Sequence, residues 1–142
     1  RPNCDFSFSG LKTAVRNHYD LLIDSDSNTQ DLKDLCASFQ RAISETICDR
    51  SQRAIDQYKS VYPEGNIFVL GGGVAANKYL CEKISNLANE NNMVVKVPPS
   101  NLCTDNGAMI AWAGLEYLRL GKSSQLDFAP RPRWPLDESI KR

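Results

Sequence analysis

The sequence predicts an α/β domain in which helices flank a sheet, and three observations lead to this prediction. Two short apolar runs, residues 67–70 and 93–97, are typical of strands buried in a mostly parallel sheet. Segments whose apolar residues recur at helical spacing precede, separate and follow these runs. The 142-residue chain is 42% apolar and 24% charged, which is the composition of an ordinary globular protein. Strands that alternate with helices in such a chain favour a layered α/β architecture.

The first 60 residues are predicted to contain one strand and two helices. Residues 5–9 alternate polar and apolar side chains and stop at Gly10, a pattern typical of a short strand. Apolar residues three and four positions apart then predict a helix over residues 11–22 and a longer helix over residues 30–59. Residues 24–28 between the two helices are only Asp, Ser and Asn, which indicates a loop.

The rest of the chain is predicted to alternate strands with helices. A glycine turn follows the strand at residues 67–70 and leads into a helix, after which the second strand stops at two prolines. The last helix is predicted over residues 104–120, with Gly121 placed to cap its end. Because this helix is apolar on most sides, we expect it to be buried between other elements. The predicted order is β-α-α-β-α-β-α, followed by a proline-rich tail at residues 129–142 without regular structure.

Charge and cysteine content narrow the classes of function. Seventeen basic and seventeen acidic residues cancel, so a contact with RNA would depend on local patches. The candidates for such patches are Arg119, Lys122, Arg131, Arg133, Trp134, Lys141 and Arg142. The alternative is a solvated surface with a tail that Trp134 docks. No apolar run reaches the length of about eighteen residues that spans a membrane. Five cysteines without a C-x-x-C spacing indicate reduced thiols in a cytoplasmic protein. The first residues do not resemble a signal peptide, and we expect them to lie inside a longer protein.

The glycine turn after the strand at residues 67–70 is the most specific feature. A buried strand that passes through Gly71, Gly72 and Gly73 into a helix places bare backbone where a ligand can approach. Asn77, one turn into that helix, can present its amide to a base or a ribose. The alternative interpretation is a tight turn that needs glycine for steric reasons alone. A dinucleotide fingerprint is excluded, since the following strand ends without the carboxylate that this fingerprint requires.

A second candidate follows the next strand, at residues 103–107. Asp105 can be a metal ligand, or Thr104 or Asp105 can cap the last helix, and the residues alone favour the cap. Because both loops follow strands of one sheet, we expect Asn77 and Asp105 to converge on one ligand at the carboxyl edge of that sheet.

Two further features are less specific. In residues 5–13, the serine hydroxyls and Lys12 lie at a strand-to-helix turn and can hold a phosphate, although the segment is not a Walker A loop. His18, the only histidine, shares a predicted helix face with apolar residues, so we expect a structural histidine whose hydrogen bonds are satisfied.

Together, three stretches of the chain closely resemble the tRNA threonylcarbamoyladenosine transferases. They are residues 5–13 (DFSFSGLKT), 72–77 (GGVAAN) and 102–111 (LCTDNGAMIA). The closing residues 131–136 (RPRWPL) are similar to the tail of the bacterial form. An older name of this family is O-sialoglycoprotein endopeptidase, but the sequence shows no nucleophile–base pair and no zinc triad for a peptidase.

The resemblance implies an α/β fold that is half of an actin/hexokinase/Hsp70-like two-lobe fold, with a mixed sheet flanked by helices. Residues 1–128 would form the second lobe. This lobe would consist of a strand plus a helical segment at residues 1–60 and an α/β core with the nucleotide and metal site at residues 61–128. Residues 129–142 would be a proline-rich tail.

The resemblance also implies an acyltransferase. Its reaction moves the threonylcarbamoyl group from threonylcarbamoyl-AMP to the exocyclic amine of the adenosine 3′ of the tRNA anticodon. It implies that Gly72, Gly73 and Asn77 contact the nucleotide. It also implies that Asp105 ligates one iron or zinc ion, so the resemblance favours Asp105 as a metal ligand over Asp105 as a helix cap. Its implied partners are tRNA, a paralogous partner subunit and a P-loop ATPase, in the cytoplasm and without a membrane.

Some family features do not occur in this sequence. The histidine pair that completes the family's metal site and the first phosphate-binding loop are absent. We therefore expect the chain alone to bind metal weakly or not at all and to have no transferase activity. Two alternative functions remain at this stage: the ATP-binding lobe of a related sugar kinase or chaperone-type ATPase, and a non-catalytic partner subunit.

Overall fold

The computed structural model describes residues 3–24 and 28–133 of the chain. Helices and a parallel pair of strands alternate in the part from residue 29 onward, which confirms the predicted α/β class. The two-lobe architecture stays a prediction. In chain order the elements are α1 (Ser9–Asp24), α2 (Thr29–Val61), β1 (Ile67–Val69), a 3₁₀ helix (Gly73–Ala76), α3 (Lys78–Glu90), β2 (Val94–Lys96), a second 3₁₀ helix (Ser100–Leu102) and α4 (Gly107–Arg119).

The predicted strand at residues 5–9 is wrong. Residues 5–8 are irregular and α1 already begins at Ser9. The first helical hydrogen bond runs from the Lys12 N–H to the Phe8 carbonyl, at 2.9 Å. An alternating pattern yields a strand only where another strand offers backbone partners, and no other strand pairs with this segment in the described residues.

A capping box starts α2, a helix of 33 residues. The Asn28 side-chain oxygen accepts hydrogen bonds from the backbone N–H groups of Gln30 (2.7 Å) and Asp31 (3.2 Å). The Asp31 carboxylate in turn accepts from the Asn28 N–H, at 3.0 Å. These bonds satisfy backbone donors that a helix start leaves without partners, which explains why α2 begins directly after the polar loop.

The two strands pair in parallel, and one face of this pair carries the core. Ile67 pairs with Val94, Phe68 with Val95 and Val69 with Lys96. Phe68 and Val95 pack against a buried cluster, which consists of Ile55, Ala88 and Met93. The opposite face is open, since Ile67, Val69 and Val94 are 55%, 70% and 51% exposed.

Polar contacts fix the end of α3 on α2. The side chains of Gln52 and Asn91 exchange two hydrogen bonds, of 3.0 and 2.7 Å. The Lys59 ammonium group donates to the Asn91 carbonyl. Because Asn91 caps the C-terminus of α3, these bonds satisfy polar groups at a helix end that packs on a neighbouring helix.

The chain divides into two compact units, Arg1–Asp105 and Asn106–Arg142. In the second unit, α4 ends at Arg119, and Gly121 follows the cap residue Leu120 with a φ of +69°, which favours glycine as predicted. The Gly121 N–H donates to the Leu118 carbonyl and the Lys122 N–H to the Tyr117 carbonyl, both at 2.9 Å, the two bonds of a Schellman motif.

The expectation that α4 is buried on most sides is wrong for the described chain. No residue of α4 is buried, and Ile110 and Trp112 are 75% and 62% exposed. An apolar surface on a helix predicts burial only where another surface faces it. Within residues 3–24 and 28–133, no helix combines the length and the apolar character that crossing a bilayer requires.

The fold predicts a large difference between two identical substitutions. Ile84 of α3 is 1% exposed. Ile84→Ala is expected to lower the free energy of unfolding by about 2–5 kcal/mol, because it removes buried methyl groups and leaves a cavity. Urea unfolding followed by circular dichroism measures this change. Ile110→Ala, at a position 75% exposed, is the matched control with an expected change within about 0.5 kcal/mol; equal losses would contradict the packing of α3.

Candidate functional site

The parallel register brings two loops to the same edge of the sheet. Val69 and Lys96, the last residues of β1 and β2, are paired. The Leu70 N–H extends the pairing by donating to the Lys96 carbonyl, at 3.0 Å. The glycine turn and the loop that begins at Val97 therefore leave the sheet side by side, at the edge where open α/β sheets bind ligands.

Open space surrounds the three glycines of the turn. Gly72 has φ = +82°, a conformation that side chains with a Cβ rarely adopt. Gly71 and Gly73 have no such φ, and a Cβ built on any of the three glycines meets no atom within 4 Å. The alternative interpretation, a turn that needs glycine for steric reasons alone, therefore accounts for Gly72, whose backbone conformation favours glycine. It does not account for Gly71 or Gly73, where no packing contact in the described residues requires glycine.

Asn77 caps α3 and does not lie one turn inside it, which corrects the sequence-based placement. The chain forms a 3₁₀ helix over Gly73–Ala76, and Asn77 then returns to an extended conformation (φ −78°, ψ 110°) before α3 begins. The Asn77 side-chain oxygen accepts a hydrogen bond from the Leu80 N–H, at 3.2 Å. Within the described residues the Asn77 side-chain NH₂ group makes no hydrogen bond, so it can donate to a ligand.

The loop after β2 has a buried cysteine at its centre. The Cys103 side chain is 3% exposed, and its sulfur lies 3.5 Å from the carbonyl oxygens of both Pro98 and Pro99. These contacts fix the loop that leads to Asp105. All five cysteines of the chain are free thiols, and burial raises the pKa of the Cys48 thiol in α2.

The cap of α4 is Asn106, so the preference for Thr104 or Asp105 as the cap is wrong. The Asn106 side-chain oxygen accepts from the Met109 N–H, at 2.9 Å. Asn106 is the cap because it directly precedes Gly107, the first residue of α4, and its side-chain oxygen therefore reaches the N–H three residues further on. Asp105 is exposed and precedes the cap by one residue, so its carboxylate is not committed to α4. Convergence of Asn77 and Asp105 on one ligand stays a prediction.

A complete metal site is not formed by the residues that the structure describes. Among residues 3–24 and 28–133, no three His, Cys, Asp or Glu side chains lie close enough together to hold a metal ion. A tight transition-metal site needs three or four protein ligands. Asp105 can therefore provide one ligand, and a metal as cofactor stays a proposal.

The segment at residues 5–13 borders a cavity of about 230 Å³, where it meets α2. The lining residues are Asp5, Phe6, Ser7, Thr46 and Arg50. Arg50 lines this cavity and Lys12 does not, and the Arg50 Nη1 donates to the Asn3 carbonyl at 2.9 Å. No local signal in the sequence indicated Arg50, because this contact joins residues 47 positions apart. The phosphate site at residues 5–13 stays a prediction. His18 is exposed, and the expectation of a structural histidine whose hydrogen bonds are satisfied stays a prediction.

The comparisons with known proteins agree with one another. The family model that matches residues 1–112 is that of TsaD, tRNA N6-adenosine threonylcarbamoyltransferase. Three curated relatives with that name are each 48% identical to the chain. They come from Paramagnetospirillum magneticum (100% of the chain), Rhodospirillum rubrum (96%) and Brucella ovis (94%). The chain spans 41%, 38% and 37% of the length of these relatives. The residues matched by the family model include the glycine turn and Asp105.

The geometry of the turn predicts different effects of two neighbouring substitutions. Gly72→Ala is expected to destabilise the chain by about 1–2 kcal/mol, because alanine is strained at a φ of +82°. Gly71→Ala is the matched control, since it adds the same methyl group where φ is ordinary and space is open. Its expected change is within about 0.5 kcal/mol. Urea unfolding measures both, and equal stability of the two variants would contradict the observed turn.

The metal content of the chain provides a separate test. The purified 142-residue chain, exposed to iron or zinc and passed through a desalting column, is expected to retain far less than one ion per chain. Elemental analysis by mass spectrometry measures the retained metal. Asp105→Asn should leave this low content unchanged. Tight stoichiometric binding that Asp105→Asn abolishes would show that the chain completes a metal site alone.

Proposed function

Because the chain belongs to the tRNA N6-adenosine threonylcarbamoyltransferase family, we propose that it forms the nucleotide-binding part of this acyltransferase. The complete enzyme moves the threonylcarbamoyl group from threonylcarbamoyl-AMP to the exocyclic amine of the adenosine 3′ of the tRNA anticodon. The chain spans 41% of the length of its Paramagnetospirillum magneticum relative, and by itself it has no transferase activity.

The observation that carries this proposal is the open glycine turn at the carboxyl edge of a parallel strand pair. Parallel pairing of β1 with β2 brings the turn and the loop that leads to Asp105 to one edge. Apart from the adjoining backbone, no atom lies within 4 Å of a Cβ built on Gly71, Gly72 or Gly73. An adenosine nucleotide can therefore approach the backbone itself, which glycine permits and larger residues hinder.

In this proposal Asn77 recognises the adenosine part of threonylcarbamoyl-AMP. The Asn77 side-chain oxygen is bonded to the Leu80 N–H, at 3.2 Å. The NH₂ group of the same side chain then donates to an acceptor, such as a ring nitrogen or a ribose oxygen. The α3 cap fixes the orientation of this donor, so binding loses little side-chain entropy. Holding the adenylate, which is the leaving group, orients the carbonyl that the tRNA amine attacks.

Asp105 is proposed as this chain's ligand to the iron or zinc ion. Since the described residues do not complete a metal site, the other ligands would come from residues outside the described part, and no step of the reaction is assigned to the metal here. The tRNA, a paralogous partner subunit and a P-loop ATPase are the proposed partners.

Selected substitutions in an active chimaera test the proposed roles. In this chimaera, residues 1–142 replace the matching segment of the Paramagnetospirillum magneticum relative, to which they are 48% identical. Asn77→Ser retains a side-chain cap for α3 but removes the amide donor. It is expected to raise the KM for threonylcarbamoyl-AMP about tenfold. Asp105→Asn is expected to lower kcat/KM about 10- to 100-fold, because it removes a charged ligand. Chromatography of nucleosides from digested tRNA measures both effects.

Two exposed residues provide matched controls. Asn89→Ser and Asp127→Asn make the same chemical changes at other exposed positions, to which no role in binding is assigned, and both are expected to leave kcat/KM within about twofold. The isolated 142-residue chain should give no modified nucleoside. Full activity of the Asn77→Ser and Asp105→Asn variants in an active chimaera would refute the proposed site.

A further inference from the structure

Cys81 makes two hydrogen bonds to the segment that joins the glycine turn to α3. Its thiol lies against the Ala75 carbonyl oxygen, in position to donate a hydrogen bond to it. Its backbone N–H donates to the Asn77 carbonyl, at 3.0 Å. One residue of the second turn of α3 therefore contacts both ends of the segment Ala75–Asn77.

The contact with Ala75 continues to Gly72. The Ala75 N–H donates to the Gly72 carbonyl, at 3.0 Å. Both polar backbone groups of Ala75 are thus bonded, one to Gly72 and the other to the Cys81 thiol. Ala75 is 4% exposed, so its carbonyl has little access to water, and an unmade hydrogen bond there would be costly.

The thiol bonds to a carbonyl for which no backbone N–H of residues 3–24 and 28–133 is a partner. The 3₁₀ helix ends at Ala76, and the last carbonyls of a helix lack partners inside that helix. The Asn77 N–H bonds to the Val74 carbonyl, at 3.0 Å. The Ala75 carbonyl, one residue further, is bonded by the side chain of Cys81.

We propose that Cys81 is a positioning residue, which holds the Gly72–Asn77 segment in the conformation that binds the adenosine nucleotide. The side chain acts through Ala75 and does not touch the nucleotide. This inference rests on the proposed function, since it concerns how strongly the glycine turn binds its ligand. Without the thiol hydrogen bond, the segment adopts more conformations in the absence of nucleotide. Binding must then order the segment, which lowers the affinity for the nucleotide.

The test compares three cysteine substitutions in the chimaera described above. Cys81→Ala removes the donor and is expected to weaken binding of AMP, measured by isothermal titration calorimetry, about three- to tenfold. Cys81→Ser restores an O–H donor and should bind AMP within about twofold of the unaltered chimaera. Cys36→Ala, which removes an exposed thiol of α2, is the control and should bind like the unaltered chimaera. In the transfer reaction, Cys81→Ala should raise KM for threonylcarbamoyl-AMP and leave kcat unchanged.

Hydrogen exchange separates the conformational role from nucleotide binding. Peptides that cover residues 71–77 are expected to exchange their amide hydrogens faster in Cys81→Ala than in the unaltered chimaera, while Cys81→Ser restores slow exchange. Unchanged exchange in Cys81→Ala, or a serine variant as fast as the alanine variant, would overturn the positioning role. Altered exchange in a chimaera that does not bind AMP would instead overturn the proposed function, and with it the role of Cys81 in nucleotide affinity.

Discussion

The parallel pairing of β1 (Ile67–Val69) with β2 (Val94–Lys96) is the constraint on which the other features of the first unit depend. Its register directs Phe68 and Val95 to one face, where they pack on the cluster of Ile55, Ala88 and Met93. The same register places the ends of both strands at one edge. Because side chains alternate along a strand, a shift of one residue would expose Phe68 and displace both loops. Core packing and site geometry therefore depend on the same few backbone hydrogen bonds.

Much of the fold was predictable, because its signals are local. Apolar runs at residues 67–70 and 93–97 indicated β1 and β2, and helical spacing indicated α1, α2, α3 and α4. Residues 5–9 carried an equally clear alternation yet form no strand, since strand formation requires a partner that a local pattern does not reveal. The apolar surface of α4 was read correctly from the sequence, but its burial was not, because burial depends on a facing surface.

In the candidate site too, sequence patterns predicted some features, whereas others depend on the three-dimensional arrangement of the backbone. The positions of Gly72 and Gly73 at the sheet edge followed from chain order and the rule for parallel sheets. The sequence predicted Thr104 or Asp105 as the cap of α4, whereas in the structure the Asn106 oxygen bonds to the Met109 N–H. The role of Asn77 as a cap required the 3₁₀ helix before it, and periodicity gives no sign of such an inserted turn.

The open face of the strand pair has a consequence for handling the chain in solution. Ile67, Val69 and Val94 present a contiguous hydrocarbon surface, because neighbouring residues on one side of paired strands lie close together. Water contact with such a surface is unfavourable, so covering it with a second apolar surface, such as that of another copy of the chain, would lower the free energy. The apparent molar mass of the isolated chain, measured by light scattering, should thus be lower in dilute than in concentrated samples. Sulfate should promote precipitation. A single charged residue in place of Val69 would be the simplest way to keep the isolated chain monodisperse.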